Sequence, residues 1–350
     1  MRAFIPIIVI AIACVSTAVA EPWELETHLV PFDAGSQSLP LDYTPLDHAA
    51  QPWHLCILYP HLKDSYWISV NYGMAQEAKR LGVGFTLYEA GGYLNLDRQE
   101  EQAETCAAVG ADAIIIGTVS FSGMTPVLTR ISKSIPVVAA VNDIAPEGVS
   151  AKAGVSWRDM GFEAGKILAR RHPAGSPPVK VAWFPGPRSG GWVRFVEAGF
   201  YAAIKHSSAK IVAVKYGDTG REAQVLLIEE VLDEIDDVDY LVGSGPMAEA
   251  AVSILRTRER EDIGIISDYM THAVHRGILR GRILGAPSDF PVVQGRLAVE
   301  FAVRAIEGTL ETRDAGPKIV PVNKSNISFY GASNTLAPTD FAPVFSLGAP

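Results

Sequence analysis

The chain alternates short apolar segments with amphipathic helical segments, and this pattern occurs twice. In the first run, the strand-like segments lie at residues 54–59, 83–90, 111–117 and 135–142. In the second run, they lie at residues 179–187, 209–217, 238–245 and 262–269. Strands that are apolar on both faces are typical of parallel sheets covered by helices on each side. The pattern therefore predicts an α/β fold with two doubly wound parallel-sheet lobes.

The two runs also predict how the chain is divided, and we expect a hinge of several strands to join the lobes. The predicted N-terminal lobe comprises residues 52–156 and 286–318, and the C-terminal lobe comprises residues 157–285 and 319–331. Residues 21–51 are rich in Pro, Asp, Ser and Leu without a clear period, so we expect an irregular extension there. Residues 332–350 are predicted to be a C-terminal tail.

The first twenty residues resemble a secretory signal peptide. Arg2 supplies the positive charge, an apolar stretch follows, and Ala18-Val19-Ala20 fits the small-residue cleavage rule. A membrane anchor is the alternative interpretation, but the apolar stretch is short for a span. No later segment is long and apolar enough to insert into a membrane. We therefore expect an exported periplasmic protein with a cleaved signal peptide.

The net charge and the cysteines bear on the possible partners of the chain and on whether it contains a disulfide. The formal net charge of -9 argues against a nucleic-acid partner, which would favour basic patches. Cleavage after residue 20 would leave Cys56 and Cys106. Export permits a disulfide between them, and two separate buried thiols are an equally acceptable interpretation.

Catalytic motifs are weak in this sequence. The glycine-rich stretch GPRSGGW at 186–192 lacks the spacing of a phosphate-binding loop and is better explained as a tight loop between a strand and a helix. His272 and His275 share a helical spacing, but no carboxylate or cysteine set joins them. We therefore expect no enzyme activity, no cofactor and no metal site.

Aromatic residues follow several different predicted strands. In two-lobed α/β proteins, ligands bind in the crevice at the carboxyl ends of the strands. The residues that the sequence delivers there are Asp64, Tyr66, Trp67, Tyr93, Trp157 and Tyr269. Each ring alone could be an ordinary core residue, but their convergence predicts an aromatic binding site. Aromatic faces attract methylated ammonium groups, so the expected ligand is small, methylated and positive at nitrogen.

Several of these motifs resemble a known family. They are YPHLKDSYWISVNYGMAQEA, EAGGYLNLDRQEEQ, GADAIIIGTV, GVSWRDMGFEAGK, IGIISDYMTHAVHRGILRG and QGRLAVE. In this order they are similar to periplasmic trimethylamine N-oxide sensor proteins, which have a type I periplasmic-binding-protein scaffold. The likeness runs from about Leu55 to about Tyr330, and Asp268 and the SGGW stretch depart from the family pattern.

The resemblance implies both a ligand and a partner. It implies trimethylamine N-oxide held in a cage of Trp67, Trp157 and Tyr269, with Asp64 contributing through water and Tyr66 and Tyr93 as neighbours. It also implies signalling through the periplasmic domain of a membrane sensor histidine kinase, which induces N-oxide respiration.

Two other functions remain open at this point. A solute-binding protein of an uptake transporter would bind a sugar or a betaine-like compound. Hydroxyl ligands for a sugar could come from Asn142, Asp159, Arg188, Asp268 and Asp289. A transcriptional repressor core is a remote possibility, because the chain has no basic helix-turn-helix and its N-terminus looks exported.

Overall fold

A computed structural model describes residues 21–33, 35–330 and 334–349 of the chain. The predicted signal peptide at 1–20 lies outside these residues, as do parts of the predicted tail. The strands are β1 (Trp23–His28), β2 (Ser38–Tyr43), β3 (His54–Tyr59), β4 (Gly84–Glu89), β5 (Ala113–Ile116), β6 (Val137–Ala140), β7 (Ala151–Ala153), β8 (Val179–Gly186), β9 (Ala209–Tyr216), β10 (Tyr240–Gly243), β11 (Gly264–Ser267), β12 (Gly285–Ser288), β13 (Asp314–Pro317), β14 (Val320–Asn323) and β15 (Ser346–Leu347). The helices are α1 (Ser65–Leu81), α2 (Leu96–Ala108), α3 (Thr125–Ile131), α4 (Trp157–Arg171), α5 (Val193–Ile204), α6 (Arg221–Glu234), α7 (Gly245–Thr257), α8 (His272–Leu279) and α9 (Pro291–Ile306).

The sheet of the first lobe has the strand order β15-β4-β3-β5-β6-β7-β13-β1-β2. The strands from β4 to β13 run parallel, and β15, β1 and β2 join the two edges in antiparallel pairs. The side chains of β5 and β6 are buried along their whole length, as expected for strands covered on both faces.

The second lobe has a parallel sheet in the order β11-β10-β8-β9. A separate antiparallel pair, β12 and β14, lies beside it. Ala286 and Val322 on this pair belong to the second lobe's hydrophobic core. Two doubly wound α/β lobes, the predicted fold, are therefore present, but residues 286–288 pack with the second lobe and not with the first. The sequence GAPS gave no clear strand pattern at this point.

The N-terminal extension is not irregular, and that prediction is wrong for β1 and β2. These strands form a hairpin that continues the first sheet, since β1 pairs with both β2 and β13. The hydroxyl of Thr27 also donates to the carbonyl oxygen of Asp314, at 2.6 Å. Charged residues and a proline give this edge hairpin a polar composition, which hides the alternation of a strand.

The chain crosses between the two lobes at several points, and these crossings form the hinge beside the ligand crevice. The chain passes between lobes from β7 to α4, from β12 to α9 and from β13 to β14. The described part of the C-terminal tail also returns to the first lobe, where the carbonyl oxygen of Val344 accepts from the Asn71 amide at 3.0 Å. No helix within the described ranges is long and apolar enough to cross a lipid bilayer.

Cys56 on β3 and Cys106 on α2 are joined by a disulfide and are fully buried. The bond closes a loop with a sequence separation of 50 residues, which restricts the unfolded chain. We expect Cys106→Ser to lower the free energy of unfolding by roughly 2–4 kcal/mol. Denaturant titration of the variant, with the wild type measured under oxidising and reducing conditions, checks this value. Equal stability of oxidised and reduced wild type would contradict it.

Candidate functional site

A small cavity lies between the lobes at the carboxyl ends of the strands. Its lining consists of Asp64, Tyr66, Trp67, Tyr93, Asn142, Trp157, Trp192, Thr219 and Tyr269. The space open to the centre of a water molecule inside this cavity is only about 10 Å³. That is close to the minimum that holds one water molecule, so the surrounding side chains nearly fill the cavity and it suits only a very small solute. All six residues that the sequence analysis selected lie around this one cavity.

The start of α1 brings three of these residues to the cavity. Asp64 is the N-cap of the helix, and its Oδ1 accepts from the backbone N–H of Tyr66 at 2.9 Å. Tyr66 and Trp67 therefore occupy the first turn, next to the crevice. The six-membered ring of the Trp67 indole packs against Gly117, which directly follows β5, and an added Cβ there would come within 2.3 Å of the ring. A glycine at 117 is thus needed for the indole to reach this position.

The second lobe contributes Trp157 and Tyr269. Trp157 begins α4, which Ser156 caps, and its indole N–H donates to the carbonyl oxygen of Val141 at 3.0 Å. Val141 has a positive φ of 68°, an unfavourable conformation for a β-branched residue. Tyr269 follows β11, and its hydroxyl donates to Oδ2 of Asp64 at 2.6 Å. Both hydrogen bonds connect one lobe to the other.

The rings around the cavity touch mainly edge to face. The centroids of Trp157 and Tyr269 are 6.0 Å apart at 87°, and those of Tyr66 and Tyr269 are 5.3 Å apart at 72°. The ring centroid of Trp192 lies 4.7 Å from that of Trp157 and 6.3 Å from that of Tyr269. Tyr66 and Trp67 are 6.0 Å apart. The rings from the two lobes therefore form one continuous aromatic enclosure.

Asp64 is the acidic group that lines this enclosure. Both of its oxygens already accept hydrogen bonds, from the N–H of Tyr66 and from the hydroxyl of Tyr269. Burial raises the pKa of Asp64 to about 6, while these two hydrogen bonds oppose the rise. An ionised Asp64 cannot donate to a ligand oxygen, but its charge favours a positive group in the cavity.

Two further buried carboxyl groups lie close to Asp64. Asp289 accepts from the hydroxyl of Tyr66 at 2.6 Å and from the side-chain amide of Gln294 at 2.8 Å. Neither oxygen of Asp268 accepts a hydrogen bond from another residue in the described part of the chain. Burial raises the pKa of Asp268 well above its ordinary value, and the charges of Asp64 and Asp289 raise it further. Asp268 is therefore a buried acid that is costly to ionise.

Sequence reasoning missed Trp192 and Thr219 as cavity residues. Trp192 is the last residue of the GPRSGGW stretch, whose sequence predicts only a tight loop, and it is the N-cap residue of α5. The available signal was its position, because this loop follows β8 just as the other ring-bearing loops follow their strands. Thr219 reaches the cavity from the loop after β9, and its hydroxyl lies 2.9 Å from Nε2 of His61. Asn142, which the sequence suggests only as a ligand for sugar hydroxyls, also lines the cavity.

The lobes, the hinge connections and the crevice define a class of protein. Residues 52–309 match the model of the family described as periplasmic binding proteins and sugar binding domain of LacI family, and the chain belongs to this family. Among individual proteins, it is similar to the periplasmic protein TorT of Escherichia coli strain K12. The two are 38% identical over 304 residues, which cover 86% of each chain.

The chain is also similar to several solved protein structures. An ABC transporter solute-binding protein from Bradyrhizobium sp. BTAi1, solved with bound Bis-Tris, has a TM-score of 0.79 and 44% identity, covering 94% of this chain and 100% of that one. A complex of the TorS sensor domain with TorT, solved without ligand, has a TM-score of 0.76 and 40% identity, covering 83% and 100% of the two chains. The same complex in the presence of trimethylamine N-oxide (TMAO) has a TM-score of 0.75 and 40% identity, covering 84% and 99%.

Proposed function

We propose that this protein is a periplasmic sensor that binds TMAO between its lobes and has no enzyme activity. It would report the ligand through the periplasmic domain of a membrane sensor histidine kinase and so induce N-oxide respiration. The observation that carries this proposal is the small aromatic enclosure built from both lobes around one acidic group. The likeness to TorT, which has been solved with the TorS sensor domain in the presence of TMAO, supports both the ligand and the partner.

The chemistry of the enclosure suits a trimethylated nitrogen. The methyl groups of TMAO carry positive charge, and the molecule has no N–H or O–H group to donate, so aromatic faces are the natural partners of these methyl groups. Each ring contributes on the order of 0.5–2 kcal/mol, and the larger values apply where water is excluded. The proposed ligand-contacting residues are Trp67, Trp157 and Tyr269, with Asp64, Tyr66 and Tyr93 beside them.

Lobe closure would convert binding into a signal. Tyr269 and Trp157 each make a hydrogen bond to the other lobe at the cavity wall. A ligand that contacts rings from both lobes binds the closed form more tightly, and it therefore shifts the population toward that form. The closed form would then be the one that the kinase recognises.

The proposal includes export and a division into lobes. Residues 1–20 would act as a cleaved signal peptide that delivers the protein to the periplasm, in keeping with the periplasmic location of TorT. The lobes would comprise residues 52–156 with 286–318 and residues 157–285 with 319–331, apart from the few residues of β12 discussed above.

A ligand screen tests the proposed function. The mature protein would be heated with TMAO, other methylated amines, betaines, ribose or galactose, and the midpoint of unfolding would be measured. Ligands that bind only the folded form raise this midpoint as their concentration increases. We expect TMAO to give a saturable increase and the sugars to give none. An increase with a sugar and no response to TMAO would contradict the proposal.

Transport is a second candidate function, and a specific comparison favours it. The Bradyrhizobium relative is described as an ABC transporter solute-binding protein and holds Bis-Tris, which is a tertiary amine with hydroxyalkyl arms. A transport role would retain the amine-binding cavity but would require a permease and not a kinase. Binding of the TMAO-loaded protein to a kinase periplasmic domain, measured by size-exclusion chromatography, supports sensing, whereas binding to a permease supports transport.

A further inference from the structure

Hydrogen-bond donors are concentrated in one part of the cavity wall. Trp192 is 2% exposed, and its indole nitrogen makes no hydrogen bond to any described residue. Trp192 and Tyr93 both line the cavity, with their ring centroids 6.5 Å apart. A buried N–H without an acceptor is costly, so a ligand that supplies an acceptor there gains affinity.

The hydroxyl of Tyr93 is oriented by its neighbours. Its oxygen accepts from the amide nitrogen of Asn142 at 3.1 Å, and the same nitrogen also donates to the carbonyl oxygen of Thr118 at 2.8 Å. Burial raises the pKa of Tyr93 above its ordinary value, against the effect of the nearby N–H groups of Asn142, Trp192 and Trp67. The Asn142 amide makes a hydrogen bond to the hydroxyl, whereas the Trp192 indole N–H lies near it without the geometry of one. The phenol therefore stays neutral and keeps its hydrogen. Because its neighbours are donors, that hydrogen is available to an acceptor in the cavity.

We propose that Trp192 and Tyr93 form the donor pair that binds the ligand's oxygen and selects N-oxides over methylated ammonium ions. This inference rests on the proposed function and adds the basis of its specificity. The indole N–H and the phenol O–H would both donate to the N-oxide oxygen, which is a strong acceptor. Asp64, whose oxygens accept from Tyr66 and Tyr269, would face the positively charged part of the ligand.

The glycine before Trp192 allows this arrangement. An added Cβ at Gly191 would lie 2.2 Å from the carbonyl oxygen of Asp143 and 3.2 Å from the backbone of Phe121, both in the first lobe. A side chain at residue 191 would therefore hold the second-lobe loop away from the first lobe. Trp192 would then be withdrawn from the cavity without any change in its own chemistry.

Two conservative variants test the donor pair. Trp192→Phe keeps an aromatic ring but removes the N–H, and Tyr93→Phe removes only the hydroxyl. Calorimetry would measure the affinity of the full mature protein for TMAO and for tetramethylammonium, which has no oxygen. We expect each variant to bind TMAO about tenfold more weakly and tetramethylammonium within about threefold of the wild type. Circular dichroism would verify folding.

The outcomes separate this inference from the proposed function. Equal losses for both ligands, or no loss for either, in variants of a wild type that binds TMAO would overturn the donor pair alone. A wild type that does not bind TMAO would overturn the proposed function and the donor pair together.

Gly191→Ala provides an independent test of the loop. We expect this substitution to lower the affinities for TMAO and for tetramethylammonium by similar factors, because it impedes lobe closure around both ligands. Gly220→Ala is the matched control, since an added Cβ there meets its nearest atom at 3.6 Å. Unchanged binding of both ligands by Gly191→Ala would show that the close approach does not position Trp192.

Discussion

Trp67→Ala is expected to weaken TMAO binding by more than tenfold. The substitution removes a ring from the cavity wall and opens the enclosure to water, which weakens the remaining cation–π contacts. It also leaves a space against Gly117, where the indole now lies. Calorimetric titration of the variant with TMAO would measure the loss.

A buried tryptophan elsewhere in the second lobe separates binding from general damage. Trp183 on β8 is fully buried and stacks on Phe200 at 4.2 Å, and it does not line the cavity. Trp183→Ala should lower the free energy of unfolding by about 3–5 kcal/mol, as large truncations in a core do. At a temperature where it remains folded, it should bind TMAO nearly as tightly as the wild type. Unchanged TMAO affinity in Trp67→Ala would reject the cage.

Asp268→Asn is expected to stabilise the protein at neutral pH, because the wild type must keep a buried carboxyl group protonated there or ionise it without a hydrogen-bond partner. The folded-state pKa of Asp268 is raised well above 3.8, mainly by burial. The folded protein therefore holds a proton on this group at pH values where the unfolded chain has lost it. Each pH unit across this window, from 3.8 upward, lowers the stability of the wild type by about 1.4 kcal/mol.

The variant's advantage should thus grow as the pH increases from about 4, because asparagine does not titrate. Denaturant unfolding of both proteins between pH 4 and pH 8 would measure the difference. Asp289→Asn is the matched comparison, since Asp289 is equally buried but accepts from Tyr66 and Gln294. Asp289→Asn should increase the free energy of unfolding less than Asp268→Asn does, or should decrease it. A stability difference for Asp268→Asn that does not depend on pH would contradict the assignment.

The sequence was sufficient to predict the lobes because burial on both faces leaves a strong signal. Strands such as β5, with four consecutive buried apolar residues, have no other favourable place than the middle of a covered sheet. The edge hairpin of β1 and β2 left a weak signal, since edge strands are half exposed and carry charges. Its pairing with β13, almost 290 residues away along the chain, depends on tertiary structure alone.

In the candidate site, too, some residues could be predicted from the sequence and others could not. Asp64, Trp67 and Tyr269 could be selected because they follow strands whose carboxyl ends face the crevice. Trp192 also follows a strand, but its loop resembles an ordinary glycine-rich turn, and the sequence does not show that Gly191 packs against Asp143 and so brings the indole to the cavity. The hydrogen bond from Tyr269 to Asp64 joins residues 205 apart in the chain, and the sequence contains no sign of it.

We propose that the rings bind TMAO through the positive charge on its methylated nitrogen. The most direct measurement compares TMAO with 2-methylpropan-2-ol, which has nearly the same shape and an uncharged carbon at its centre. Calorimetric titration of the mature wild-type protein with both should give saturable binding of TMAO at one site and affinity for the alcohol at least tenfold lower. Equal affinity for the two compounds, or binding of neither, would show that the positive charge does not hold TMAO among the rings.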